Sequence, residues 1–237
     1  MFNKQSLTLA FVACGVLVAG QQVSNPQIDE AVQKYILEHP ELILKSLTTY
    51  QAKLKQLTQD RARQTVIAER ENLVNDPTSP SAGNAKGVTI VEFFDYRCGY
   101  CKKVGPALAK LLETDPSARV VFKELPILGP DSMVAAKASL AADKQGAYLK
   151  FHDALFAASE PFTMELMEKI AAGFGLDVAR FKADMISPEI DRIIIKNAQL
   201  AEKLQVKATP TFIVGSETVA GALDVEGLRS LVNGATQ

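Results

Sequence analysis

The run Val88-Thr89-Ile90-Val91-Glu92-Phe93-Phe94-Asp95-Tyr96-Arg97-Cys98-Gly99-Tyr100-Cys101 decides how this chain is read. Val88 to Phe94 has the apolar, β-branched and aromatic content of a buried strand. Helical spacing takes over from Cys98 to about Leu112, so the two cysteines fall where a strand turns into a helix. Unpaired backbone N–H groups at a helix start stabilise an anion; Cys98 stands at that start and Cys101 lies one turn in. Two thiols at this spacing can close into a small disulfide and reopen, which is the chemistry of thiol–disulfide exchange. Cys98 is the expected nucleophile and Cys101 the expected resolving thiol.

The flanking residues colour this expectation. Arg97, Lys102 and Lys103 add positive field near Cys98, and Asp95 opposes it. Glu92 sits in mid-strand among apolar neighbours, where a carboxylate is costly without a task or a partner. Its task would be to accept the proton of Cys101 during resolution; its alternative is a twisted strand that lets it reach water or Lys123. Pro106, inside the helix, predicts a kink. Other uses of a cysteine pair fit less well. Zinc needs three or four ligands, and the two histidines, His39 and His152, lie in unrelated helical stretches. A purely structural bridge over two residues constrains little of the unfolded chain. Haem attachment needs histidine after the second cysteine, where Lys102 stands. No metal and no cofactor is expected.

A second strand at Arg119 to Leu125 completes a strand–helix–strand crossover of the parallel kind. Ser132 to Leu204 is helical, with breaks near Gly146, Ser159-Glu160-Pro161, Gly173 to Asp177 and Ser187-Pro188. Strands at Thr211 to Val214 and Thr218 to Ala220 and a helix at Val225 to Val232 follow. The expected fold class is α/β, a small mixed sheet with an inserted helical block. In Ala208-Thr209-Pro210-Thr211-Phe212 a proline precedes a strand; there it can end backbone pairing and, if cis, turn an edge outward for an extended peptide. Tyr148, Phe151, Phe156 and Phe162 could line a groove beside the cysteines, although aromatics at helical spacing are mostly core. His152 reads as a satisfied surface or half-buried residue.

The N-terminal part is organised differently. Residues 1–20 read as a secretory signal, with Lys4 as its positive head, Leu7 to Val18 as its apolar run and Val18-Ala19-Gly20 as its small-residue end. Lipid attachment at Cys14 fits less well, because the apolar run continues past it. Residues 21–74 read as a helical oligomerisation module: Ile28, Val32, Tyr35 and Ile36 share one face, Pro40 opens a second helix, and Ile43, Leu47, Tyr50, Leu54 and Leu57 form a two-heptad seam. The seam must bury itself against another copy, as a homodimer or homotrimer, or fold back on its own chain. Residues 75–86, rich in Pro, Ser, Asn and Gly, read as a linker that frees residues 87–237 to move. The formal net charge of −1 and 47% apolar content point away from nucleic acid and from disorder.

Three segments together carry a resemblance: Val91 to Lys102, Phe122-Lys123-Glu124-Leu125-Pro126-Ile127-Leu128-Gly129-Pro130-Asp131-Ser132, and Ala208 to Phe212. Over about 88–232 the chain resembles the exported DsbA-like thioredoxin-fold oxidoreductases, most closely the ScsC and Com1-like branch. The resemblance implies a thioredoxin fold with a helical insertion at about 130–204. It also implies attack by Cys98, resolution by Cys101, proton transfer at Glu92 and a cis Pro210. Gly99-Tyr100 and Thr209, expected substrate-binding residues with Pro210, are similar to those of the periplasmic isomerase DsbC. DsbA itself has proline and histidine between its cysteines. Isomerase or reductase action in a Gram-negative periplasm is therefore expected, on unfolded or mis-disulfided exported proteins, with a membrane redox partner to reset the cysteines. A DsbA-type oxidase is the alternative, and a periplasmic chaperone or binding module with a structural bridge is the non-enzymatic one.

Overall fold

The computed structural model describes residues 25–235, so the expected signal sequence and Cys14 lie outside the described residues. By its contacts the chain divides into two units, residues 1–54 and 55–237. In the first, helix α1 (Pro26–Glu38) is opened by Asn25, whose side chain accepts from the Gln27 N–H, and by Pro26 in the first turn. Helix α2 (Pro40–Ala68) begins after His39, as Pro40 predicts. Ile43, Leu47, Tyr50, Leu54 and Leu57 are all exposed on it, as are Ile28, Val32, Tyr35 and Ile36 on α1.

The second unit starts within α2 and continues through α3 (Arg70–Val74), β1 (Ser81–Gly83), β2 (Val88–Phe94), α4 (Gly99–Thr114) and β3 (Ala118–Glu124). Five helices follow, α5 (Pro130–Asp143), α6 (Tyr148–Ala157), α7 (Met164–Gly173), α8 (Val178–Met185) and α9 (Pro188–Lys203). Strands β4 (Thr211–Val214) and β5 (Glu217–Ala220) and helix α10 (Val225–Ala235) close the fold. The helix starts have local causes: Thr163, Asp177 and Ser187 each accept a hydrogen bond from a backbone N–H of the turn they open, and Pro188 supplies a preset first turn to α9.

The sheet runs in the order β1-β3-β2-β4-β5, with β2 and β3 parallel and every other pair antiparallel. This is the thioredoxin arrangement with a helical block, α5–α9, inserted between β3 and β4. Side chains alternate across the sheet. Ile90, Phe94, Val120, Phe122, Phe212 and Val214 face a core shared with α4, α10 and the inserted helices. Val91, Phe93, Val121 and Ile213 face the opposite core, with Val66, Leu73, Leu200 and Leu204. The same alternation puts Glu92 and Glu124 on the first face and Lys123 on the second, because Glu92 pairs in register with Phe122 and Phe94 with Glu124. The sequence-based alternative of a Glu92–Lys123 pair is thereby overturned.

The stretch expected to be a free linker is also different in the structure. Asp76 is buried, and its carboxylate meets the Lys123 ammonium at 2.9 Å and Lys196 at 3.0 Å. Lys123, itself fully buried, also donates to the Asn72 carbonyl and the Ser79 hydroxyl, both at 2.7 Å. Arg119 donates to the Val74 carbonyl, and β1 pairs with β3. Gly83 holds φ +89°, and a Cβ there would lie 2.5 Å from the Ala118 carbonyl oxygen, so this edge requires glycine. Turn-forming residues here build a tethered edge, because a buried lysine needs this carboxylate.

Candidate active site

Cys98 is the N-cap of α4, in extended backbone conformation, and Cys101 lies in the first turn. Both thiols are free and both residues are buried, Cys98 at 7% and Cys101 at 0% exposure. The Thr209–Pro210 bond is cis, and it places the Thr209 carbonyl 3.1 Å from the Cys98 sulfur, across 111 residues of sequence. Gly99 has nothing within 4 Å of where a Cβ would stand, and Tyr100 is 63% exposed, so the dipeptide between the cysteines is the open side of the site.

The two thiols differ in proton affinity. Burial pushes the Cys98 thiol up, but hydrogen bonds from the Thr209 side chain and from the Cys101 and Tyr100 backbone outweigh it and lower its pKa. The Thr209 carbonyl can accept only from the protonated sulfur, so ionisation gives up that contact while it strengthens the others. Burial, together with the negative charges of Glu92 and Cys98, raises Cys101 well above the ordinary thiol range. A sulfur that ionises more readily at Cys98 beside a thiol that holds its proton at Cys101 is the asymmetry that suits attack followed by resolution.

The cations expected to assist are engaged elsewhere. Arg97 pairs with Asp131 at 3.1 Å, Lys102 donates to the Ala158 carbonyl at 3.0 Å, and the Lys103 ammonium lies 5.4 Å from the centre of the Tyr100 ring. Asp95, expected only to oppose them, organises the loop. Its carboxylate accepts from the Arg97 N–H at 2.8 Å and from the Ile127 and Leu128 N–H groups at 2.8 and 3.0 Å. Its carbonyl accepts from the Cys98 N–H at 3.0 Å. This buried residue joins the turn before Cys98 to the loop after β3.

Glu92 is 1% exposed, and one of its carboxylate oxygens, Oε2, has no hydrogen-bond partner. Burial first, then the charges of Glu124 and Cys98, push its pKa up to about 8. Tyr148, Phe151 and Phe156 are core residues, while Phe162 lines a cleft of about 470 Å³ with Tyr96, Arg97, Lys102, Asp131 and Pro161. His152, expected at or near the surface, is buried, and its Nδ1 lies 3.0 Å from the Tyr96 hydroxyl. Glu124 was missed in the sequence, although it carries the signal that singled out Glu92, an acidic residue in an apolar strand.

The profile of the DSBA-like thioredoxin domain matches residues 89–233. The solved structure of a thioredoxin-like oxidoreductase from Silicibacter pomeroyi is 40% identical, superposes with a TM-score of 0.68, and matches 70% of this chain and 97% of its own. Proteus mirabilis ScsC in a transitional conformation is 26% identical, with a TM-score of 0.67, over 89% of this chain and 95% of its own. Among curated proteins, the Na(+)/H(+) antiporter NhaA 3 of Salinispora tropica is 27% identical over 93% of this chain and 35% of its own length. The chain thus spans about a third of that relative's length. Among the described residues no helix is long and apolar enough to cross a membrane.

Proposed function

Because the chain belongs to the DSBA-like thioredoxin domain family, we propose that it exchanges thiols and disulfides on exported proteins in a Gram-negative periplasm, chiefly as an isomerase or reductase. The observation that carries this reading is the unequal thiol pair: Cys98 with lowered proton affinity against Thr209-Pro210, and Cys101 buried and protonated behind it. The Cys98 thiolate attacks one sulfur of a mispaired disulfide. A mixed disulfide forms, and the substrate's other cysteine leaves as a thiolate. A second substrate thiolate can then attack the mixed disulfide and free Cys98, which is isomerisation. Alternatively Cys101 gives its proton to Glu92 and attacks the Cys98 sulfur, releasing reduced substrate; a membrane redox partner must then reset the pair.

Exposed Gly99-Tyr100 on one side of the sulfur, and the half-buried Thr209 whose carbonyl reaches it at 3.1 Å ahead of a buried Pro210, support the role of these residues in seating an extended chain. Support for the isomerase choice comes from Gly99-Tyr100 and Thr209, which resemble DsbC, and from the exposed stripe Ile43, Leu47, Tyr50, Leu54 and Leu57. Paired across copies, that stripe would gather several Cys98 sites around one substrate. The test is reactivation of scrambled ribonuclease and oxidation of the reduced enzyme, for the native chain and for an Ile43→Glu/Leu47→Glu variant followed by sedimentation. Isomerase action by a homo-oligomer requires strong reactivation by the native chain, and a smaller mass with weaker reactivation in the variant. Oxidation without reactivation would instead make the protein a DsbA-type oxidase.

A further inference from the structure

Behind the cysteines lies a buried polar cluster that the exchange steps do not use. Glu124, 1% exposed at the end of β3, accepts three hydrogen bonds on one oxygen: from Ser139 at 2.6 Å, Tyr148 at 2.8 Å and Tyr96 at 3.2 Å. Tyr96 lies two residues before Cys98, and its hydroxyl also meets His152. With the His152 proton on Nδ1, the imidazole donates to Tyr96 and Tyr96 donates to Glu124, so the chain of donors ends on the carboxylate. Burial holds His152 down at about 3 and therefore neutral.

Every element packed around Glu124 contributes to this field. β2 brings Glu92 to the same sheet face; the loop after it brings Asp95 and Tyr96, and α4 brings Cys98 and Cys101. From the inserted helices come Ser139, Tyr148 and His152, while Asn197 donates to the Glu124 carbonyl at 3.3 Å. The adjacent lysine, Lys123, points to the opposite core. Glu92 and Glu124 thus form a pair of buried carboxyls that cannot both ionise cheaply. Their surroundings are unequal, since Glu124 has three hydroxyl donors and Glu92 has an oxygen with none.

We propose that Glu124 is a positioning residue for the resolving step: gripped by Ser139, Tyr148 and Tyr96, it takes the negative charge of the carboxyl pair and keeps the proton on Glu92. A protonated Glu92 cannot receive the Cys101 proton, so the mixed disulfide persists and the substrate has time for a second exchange. This rests on Glu92 being the proton carrier, as proposed above. The three donors explain why Glu124 ionises first although both carboxyls are pushed up to about 8.

The test uses the full reduced chain and oxidised glutathione, with acid quenching and mass analysis across pH 5 to 10. The Cys98 thiolate attacks one glutathione sulfur, and one glutathione leaves as its thiolate. The Cys101 thiol then passes its proton to Glu92, the Cys98–Cys101 bond forms, and the second glutathione leaves as a thiolate. The protein dithiol is oxidised while one glutathione disulfide is reduced. Resolution by the wild type should rise with pH about a Glu92 midpoint. Glu124→Gln, which keeps the shape but never ionises, should move that midpoint about one pH unit toward acid. Near neutral pH it should shorten the mixed-disulfide lifetime by up to about tenfold. Tyr148→Phe weakens the grip on the Glu124 charge and should shift the midpoint the same way by less, which preserves the test should the first variant not fold. Glu92→Gln should abolish the midpoint. If Glu92→Gln abolishes it while Glu124→Gln and Tyr148→Phe leave it in place, Glu124 has only a structural role and the proposal fails. If Glu92→Gln itself leaves it in place, the proton-carrier assignment fails, and the proposal with it.

Discussion

Replacing Glu92 by glutamine should stabilise the reduced protein at alkaline pH and weaken it in acid, where the wild-type carboxyl is neutral and only the penalty of the buried amide, about 1–3 kcal/mol, remains. The carboxyl is 1% exposed with an unpartnered oxygen, and its pKa is pushed up to about 8 from an unfolded value of about 4.3. The sign follows from proton binding. Between about pH 4 and 8 the folded state holds a proton that the unfolded state has released, so stability is greatest below pH 4 and falls as pH rises toward 8. At about 1.4 kcal/mol per pH unit, the gap bounds the cost of an ionised Glu92 near about 5 kcal/mol, part of it shared with Glu124. Glutamine avoids that cost but leaves a buried amide short of partners, a penalty of about 1–3 kcal/mol. A net gain of about 2 kcal/mol at pH 9 is expected, which is about 4–8 °C in Tm for a chain of this size. Thermal unfolding of reduced wild type and Glu92→Gln, followed by circular dichroism from pH 4 to pH 9, measures it. A Tm difference that does not grow with pH, or a variant less stable at pH 9, would refute the argument that this carboxyl is buried without compensation.

Three further outcomes follow from the same contacts. Absorbance at 240 nm against pH should show the Cys98 thiolate forming below the ordinary thiol range in a Cys101→Ala variant, and Thr209→Val should raise that midpoint by about one pH unit, the worth of one charge-assisted hydrogen bond. Asp76→Ala strands the buried Lys123 and should cost about 3–5 kcal/mol at neutral pH in denaturant melts. Because that fold holds the Asp76 carboxyl below its usual range, the deficit should be full above about pH 4 and close as acid protonates the wild-type carboxylate. Asp95→Ala leaves the Arg97, Ile127 and Leu128 N–H groups without their acceptor, so alkylation of Cys98 should slow and hydrogen exchange at those amides should quicken.

The sequence alone determined the features whose causes lie within a turn or two of the chain. The strand-to-helix junction at the cysteines follows from a change of hydrophobic period, and the break between α8 and α9 follows from Ser187 capping and Pro188 in the first turn. What sits against what was decided by packing. Glu124 had the same sequence signal as Glu92, but its donors come from α5, α6 and the Cys98 loop, so neither its role nor its charge was legible locally. The stretch 75–84 has a linker's composition, yet Asp76 is held because Lys123 must be neutralised on a sheet face that only the strand register defines. Likewise Thr209 meets Cys98 from 111 residues away. Periodicity and capping act between near neighbours, whereas the cost of burying a charge or a thiol depends on whichever distant groups the fold brings against it, and that is settled only when the two cores close.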